Sequence, residues 1–162
     1  MPEFELHGYT PGLIREITAL HATYYHEHWN FDLYFEAKVA SELSAFLTRF
    51  DPAHDGFWVA KADGGLVGAI AVEGEGAGTK EARLRWFIVA PEYHGGGLGN
   101  LLMQEALGFC ARAGFRRVYL TTFAGLDAAR HLYEKTGFTL IAEQEDSTWG
   151  TPVIEQTFEL LL

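Results

Sequence analysis

The part of this chain best able to do chemistry is bare backbone. His94 to Leu102 reads HGGGLGNLL, with Gly95, Gly96, Gly97 and Gly99 running into an apolar helical pattern. Each glycine costs the folded state about 0.5–1 kcal/mol relative to alanine. Such a cluster therefore serves a tight turn, close helix packing, or a ligand whose charged oxygens approach N–H groups. The first turn of a helix has unpaired amides, and its dipole adds roughly half a positive charge, so a glycine loop leading into it can hold an anion. Two phosphate-binding patterns fail here. A P-loop needs Lys and then Ser or Thr after its last glycine, but Asn100 and Leu101 stand there. A dinucleotide fingerprint needs a further glycine three residues on and an acid about twenty residues later, whereas Asn100 follows and Val118 to Leu120 is apolar.

Other reactive side chains are scattered. Glu73, late in a strand pattern, is either a proton acceptor, directly or through water, or an exposed strand-end carboxylate. His21, His26, His28 and Glu27 crowd the segment HATYYHEHW, but ligands on one helix face want spacings of three or four. The histidine spacings of five and two turn the rings apart, so no metal site is expected; with Tyr24, Tyr25 and Trp29 they line a pocket or cap the fold. Cys110 is the only cysteine, which rules out a disulfide framework and a thiolate metal site. Its apolar helical setting reads as a buried, inert thiol. Tyr133, by spacing alone, shares a core face with Ala129, Leu132 and Thr136.

The elements that must position these groups follow from periodicity and punctuation. A short strand is expected over Glu3 to Tyr9, then a helix after Pro11 carrying Leu13, Ile14, Ile17, Leu20 and Tyr24 on one face. A second helix is expected from about Phe31 to Phe50, with Phe35, Val39, Leu43, Phe46 and Leu47 inward. A hairpin turning at Asp63-Gly64-Gly65 follows, then the loop GEGAGTKEA and the apolar strand ARLRWFIVAP. Helices from about Leu98 to Ala113 and over LDAARHLYEKTGF flank the strand RRVYLTTF, and two last strands meet around Gly150. With no repeat or linker, residues 1–162 read as a single α+β domain.

Composition narrows the partners. Apolar residues make up 48% of the 162, as in a globular protein, and the formal charge is −10 from 22 acidic against 12 basic residues. That balance argues against nucleic acid and suits a cationic or amine-bearing partner, a polyamine or aminoglycoside for instance. The start lacks the pattern of a signal peptide, and no apolar run nears the ~20 residues of a membrane span. No membrane partner and a cytoplasmic location are therefore expected.

The segment VAPEYHGGGLGNLL resembles the acetyl-CoA loop of the GCN5-related N-acetyltransferases, in which Arg or Gln, a glycine, and then Gly or Ala take the places of His94, Gly97 and Gly99. The resemblance implies that the N–H groups of Gly95, Gly96, Gly97, Leu98, Gly99 and Asn100 wrap the cofactor's pyrophosphate, with His94 departing from the usual side chain. It places LRWFIVAP as the strand that splays from its neighbour at a β-bulge, with the backbone of Phe87 and Val89 pairing the pantetheine arm and one N–H polarising the thioester carbonyl. AARHLYEKTGF resembles the family's later motif at Ala129, Leu132, Tyr133, Gly137 and Phe138, which implies that Tyr133 is the general acid. Leu126 stands where the family often has Asn.

The implied architecture is a twisted, mostly antiparallel sheet of about six or seven strands flanked by about four helices. The implied activity is acetyl transfer from acetyl-CoA to a primary amine of a small molecule or protein, by direct attack in a ternary complex, with Tyr133 and Glu73 as catalytic residues. The first two helices and the final hairpin would select the acceptor. The other reading is a non-catalytic acyl-CoA sensor or assembly module. WNFDLYFEAKVASELSAFL is similar to acetyltransferase domains that some bacterial regulators carry behind a winged helix, and homodimerisation through the last strands is a family habit.

Overall fold

Gly12, in the left-handed region at φ 95°, admits the chain to α1 (Leu13–Trp29), which buries Leu13, Ile17, Thr18 and His21. The coordinates are those of a computed structural model and describe residues 4–76 and 78–162. Asn30 closes α1 at φ 58° and turns Phe31 into the interior as a separate anchor. The second helix, α2, therefore starts at Leu33 rather than Phe31 and runs to Thr48, burying Phe35, Val39, Leu43 and Phe46.

Seven strands form one sheet: β1 (Leu6–His7), β2 (Gly56–Ala62), β3 (Gly65–Gly74), β4 (Glu81–Val89), β5 (Arg117–Phe123), β6 (Thr139–Asp146) and β7 (Val153–Leu161), in the order β1-β2-β3-β4-β5-β7-β6. The first strand is only two residues long, and Glu3 lies outside the described residues. Asp63 (φ 52°) and Gly64 (φ 79°) make the primed turn that matches strand twist between β2 and β3. Every neighbouring pair is antiparallel except β4 with β5, which run parallel.

Two helices follow β4 and β5: α3 (Leu98–Arg112) and α4 (Asp127–Thr136). They pack on one face of the sheet, where Leu98, Leu102, Met103, Ala106 and Tyr133 meet Ala82, Leu84, Val118, Leu120 and Phe158. Helices α1 and α2 cover the other face, setting Leu13, Ile17, Leu43 and Phe46 against Val59, Ala69, Ala71 and Ile88. A third cluster joins Phe31, Phe35 and Val39 to Val153 at the far end of that face, with Trp149 and Phe123 against it. Cys110 is fully buried on α3, and burial pushes its thiol up to about 12, so it stays protonated and inert.

His21 is the buried titratable group of α1, 6% exposed, donating from Nδ1 to the Ile17 carbonyl at 2.9 Å. Burial lowers its pKa from 6.5 to about 4. The unfolded imidazole takes a proton first as pH falls, so the folded state loses about 3 kcal/mol between pH 6.5 and 4 from this residue. The midpoint of urea unfolding should fall across that window, and His21→Leu should flatten the slope; an unchanged slope would show that another group sets it.

Candidate active site

The site begins where the sheet comes apart. Strands β4 and β5 are paired only from Glu81 opposite Arg117 to Arg83 opposite Tyr119. Further along, β4 bulges. Ala71 opposes Arg85 and Ala69 opposes Ile88, so Trp86 and Phe87 together face Ile70 alone. Trp86 takes the left-handed conformation at φ 49°, which costs a side-chain-bearing residue about 1–2 kcal/mol. Packing holds it there: its ring lies 5.4 Å from that of Phe46, with the Arg85 guanidinium 4.3 Å above it.

The bulge reverses the strand's alternation. Ala82 and Leu84 point toward α3 before it, whereas Phe87 and Val89 do so after it. The Ala90 N–H donates to the Val67 carbonyl at 2.8 Å, binding the strand end to β3. Alternation then turns the backbone groups of Phe87 and Val89 the other way, into the opening between β4 and β5. The Val89 carbonyl is already taken there, accepting from His94 Nε2 at 2.8 Å. His94 thus ties the glycine loop to β4, and Val89 has only its N–H to offer a ligand.

The loop delivers α3 to the same opening. Gly95 (φ 79°) and Gly97 (φ 87°) sit in the left-handed region, which explains two of the four glycines. Gly96 and Gly99 answer no such need: an added Cβ would meet nothing closer than 3.5 Å, and at Gly99 its neighbours would be Phe87, Leu132 and Val89 across the cleft floor. Gly97 is the N-cap of α3 and makes no side-chain cap, and the first turn carries no acid. The first intrahelical bond is Leu101 N–H to the Gly97 carbonyl at 3.0 Å. The amides of Leu98, Gly99 and Asn100 therefore remain free for an anion.

On the far wall, α4 presents Tyr133. Gly137 (φ 111°) caps the helix, and Tyr133 packs against Phe87, Phe138 and Phe158 with ring centroids 6.2, 6.0 and 5.8 Å away. Burial raises its phenol pKa above the ordinary value, so the proton is retained throughout the neutral range. Among the described residues its hydroxyl has no hydrogen-bond partner, and the residue lines the cleft. Tyr25 faces it from α1, its own phenol raised by burial and then by Tyr133. Leu126 stands at the N-cap of α4 with no side-chain cap.

The cleft holds about 900 Å³. Phe87, Val89, His94, Gly95, Gly97, Gly99, Asn100 and Tyr133 all border it, so the loop, the bulged strand and the tyrosine converge. Glu73 does not. Its carboxylate is clamped by Arg49 and by Arg85 Nη1, the latter at 3.3 Å, on a part of β3 outside the cleft lining. Its place in the fold is that of an ion-pair hub between β3, β4 and the end of α2.

The half of the cleft under α2 is lined by the first two helices and the final hairpin. Lys38 and Glu42 from α2, Arg83 and Arg85 from β4, and Asp146 and Glu155 from β6 and β7 border it. Glu155, which the sequence did not single out, has its pKa raised by burial and then by Asp146 beside it. Asp146 is lowered by hydrogen bonds from the Thr148 hydroxyl and N–H, the latter at 2.8 Å. The histidines diverge: His21 points inward, while His26 Nδ1 donates to the Phe31 carbonyl at 2.9 Å.

Known proteins resemble this chain in sequence and in fold. Against curated sequences, the chain is 35% identical over 82 residues to the probable N-acetyltransferase camello of Xenopus tropicalis, covering 51% of this chain and 37% of that protein. It is 32% identical over 109 residues to N-acetylaspartate synthetase of Danio rerio, covering 67% and 37%. The chain spans less than half the length of these relatives. Among solved structures, an acetyltransferase from Streptococcus agalactiae superposes with a TM-score of 0.78 over 100% of both chains at 20% identity. The yncA protein of Salmonella typhimurium, solved with its cofactor acetyl-CoA, gives 0.73 over 99% and 95% at 15% identity. The sequence model of the Acetyltransferase (GNAT) family matches residues 14–138. With the splayed strands, the glycine loop and the later tyrosine in one cleft, the chain belongs to the GNAT acetyltransferase family.

Proposed function

We propose that this chain transfers an acetyl group from acetyl-CoA to a primary amine. The observation that carries the reading is the splay of β4 from β5, which aims backbone donors at a cleft with an uncapped helix N-terminus at one end and a protonated tyrosine at its wall. These residues fit the cofactor on chemical grounds. Free amides at Gly99 and Asn100 suit a pyrophosphate. The unpaired backbone of Phe87 suits an extended pantetheine arm, added like a strand.

Acetyl-CoA supplies an activated acetyl group as a thioester. In the net reaction a protonated amine and acetyl-CoA become an amide, a free thiol and one proton. An N–H from the bulged segment donates to the carbonyl oxygen, where negative charge builds as the amine attacks. Tyr133 holds its proton at Oη and gives it to the departing sulfur. The amine must first lose a proton, and Glu155 is the acceptor we assign, because burial and Asp146 raise its affinity for one. Glu73, fixed by two arginines, has the positioning role of holding Arg85 beneath α2.

Two outcomes follow. Tyr133→Phe should lower kcat about a hundredfold with acetyl-CoA affinity within about threefold of wild type, read by thiol release and by calorimetry. Full activity in that variant would remove the acid, and binding by wild type without turnover on any amine would favour a sensor. Gly97→Ala forces alanine into a left-handed cap and should lower stability by about 1 kcal/mol and weaken acetyl-CoA binding about tenfold, checked by unfolding and titration.

A further inference from the structure

The chamber beneath α2 contains three cations, and two of them are paired. Lys38 Nζ lies 2.8 Å from Glu42, and Arg85 lies 2.6 Å from Glu42 and 3.3 Å from Glu73. Arg83 stands on the last rung that joins β4 to β5, at the floor of the splay, with Glu73 and Tyr119 opposite on the neighbouring strands. It borders the cleft. Among the described residues it makes no ion pair, and its Nε is shut off from water without a hydrogen-bond partner. The residue is only partly buried, and with its Nε sealed the guanidinium can meet an anion in the cleft only through its outer nitrogens.

Three features identify the anion. The planar guanidinium fork matches a carboxylate with two parallel hydrogen bonds. Asp146 and Glu155 share the chamber, and Glu155 feels both Arg83 and Lys38 electrostatically. A phosphate's second negative charge would stand against those carboxyls, whereas an ammonium group would be welcome beside them. A polyamine or aminoglycoside, suggested by the net charge of −10, would instead set its own cations against Arg83. The charge of the whole surface is therefore a poor guide to this chamber.

We infer that the acceptor is a free amino acid, whose carboxylate is held by Arg83 and whose amine faces Glu155 and the reactive end of the cleft. The identity of the reacting amine rests on the acetyltransferase reading; the binding of the carboxylate to Arg83 does not.

The test has two arms. Free L-amino acids and their matched carboxamides are titrated into the labelled protein without acetyl-CoA, while the Arg83 Nε–H resonance is followed, assigned by its loss in Arg83→Lys. The same compounds are then assayed as acceptors with acetyl-CoA. A saturable shift of the Nε–H with at least one free acid and not with its amide is expected. So is a preference in kcat/KM of roughly thirtyfold or more for that acid, carried mainly by KM. Arg83→Lys should erode the preference and Arg83→Met should bring it near unity, with acetyl-CoA affinity as in wild type. The proposal is overturned if no free acid moves the resonance, if amides serve as well as acids, or if the preference survives Arg83→Met. Loss of acetyl-CoA binding in wild type would instead defeat the acetyltransferase reading, while the resonance still decides the role of Arg83.

Discussion

Everything in the cleft depends on one failure of pairing. Parallel strands normally bond along their whole length, yet β4 and β5 stop at Arg83 and Tyr119. The cause is the extra residue at Trp86–Phe87, which adds twist and swaps the faces of β4. Without it, Phe87 and Val89 would turn toward α2 and the helix faces of the sheet would no longer match. The strained Trp86 is held by Phe46 and Arg85; Arg85 in turn is held by Glu42 and Glu73. The ion-pair network under α2 is thus part of what keeps the cleft open.

That opening divides the cleft by chemistry. On one side lie backbone donors and the positive end of α3, suited to a phosphate-bearing cofactor. On the other lies a chamber of opposed side-chain charges, suited to a small zwitterion. Tyr133 stands on the wall between them, buried enough to keep its proton and with its hydroxyl unclaimed by the described residues. The division explains why an acidic protein can carry a cation at the floor of its cleft.

How much of this could be read from the sequence varied with how local each feature is. The positive-φ glycines at 95, 97 and 137 are demanded by the conformation of single residues, and helical spacing announces α1 to α4, so the loop and the Tyr133 helix were legible. The bulge came only by resemblance, because a tryptophan at φ 49° leaves no local signal. The start of α2 was misplaced because Asn30, the left-handed residue that turns the chain, gave no warning beside the apolar Phe31. The ion pairs of Glu73 were hidden, since strand position reveals a face but not the partners on it, here Arg49 and Arg85. Arg83, Asp146 and Glu155 come to one cleft only through the successive registers of β4, β5, β7 and β6, which no stretch of sequence displays.

The central claim is that the splayed strand and the open helix end form a single cofactor cradle. Titrating acetyl-CoA into uniformly labelled protein, with backbone amide resonances followed by NMR, tests it most directly. The account requires the amides of Phe87, Val89 and Gly95 to Asn100 to move together with one dissociation constant. Shifts confined to the α2 chamber, or to the loop without β4, would contradict it.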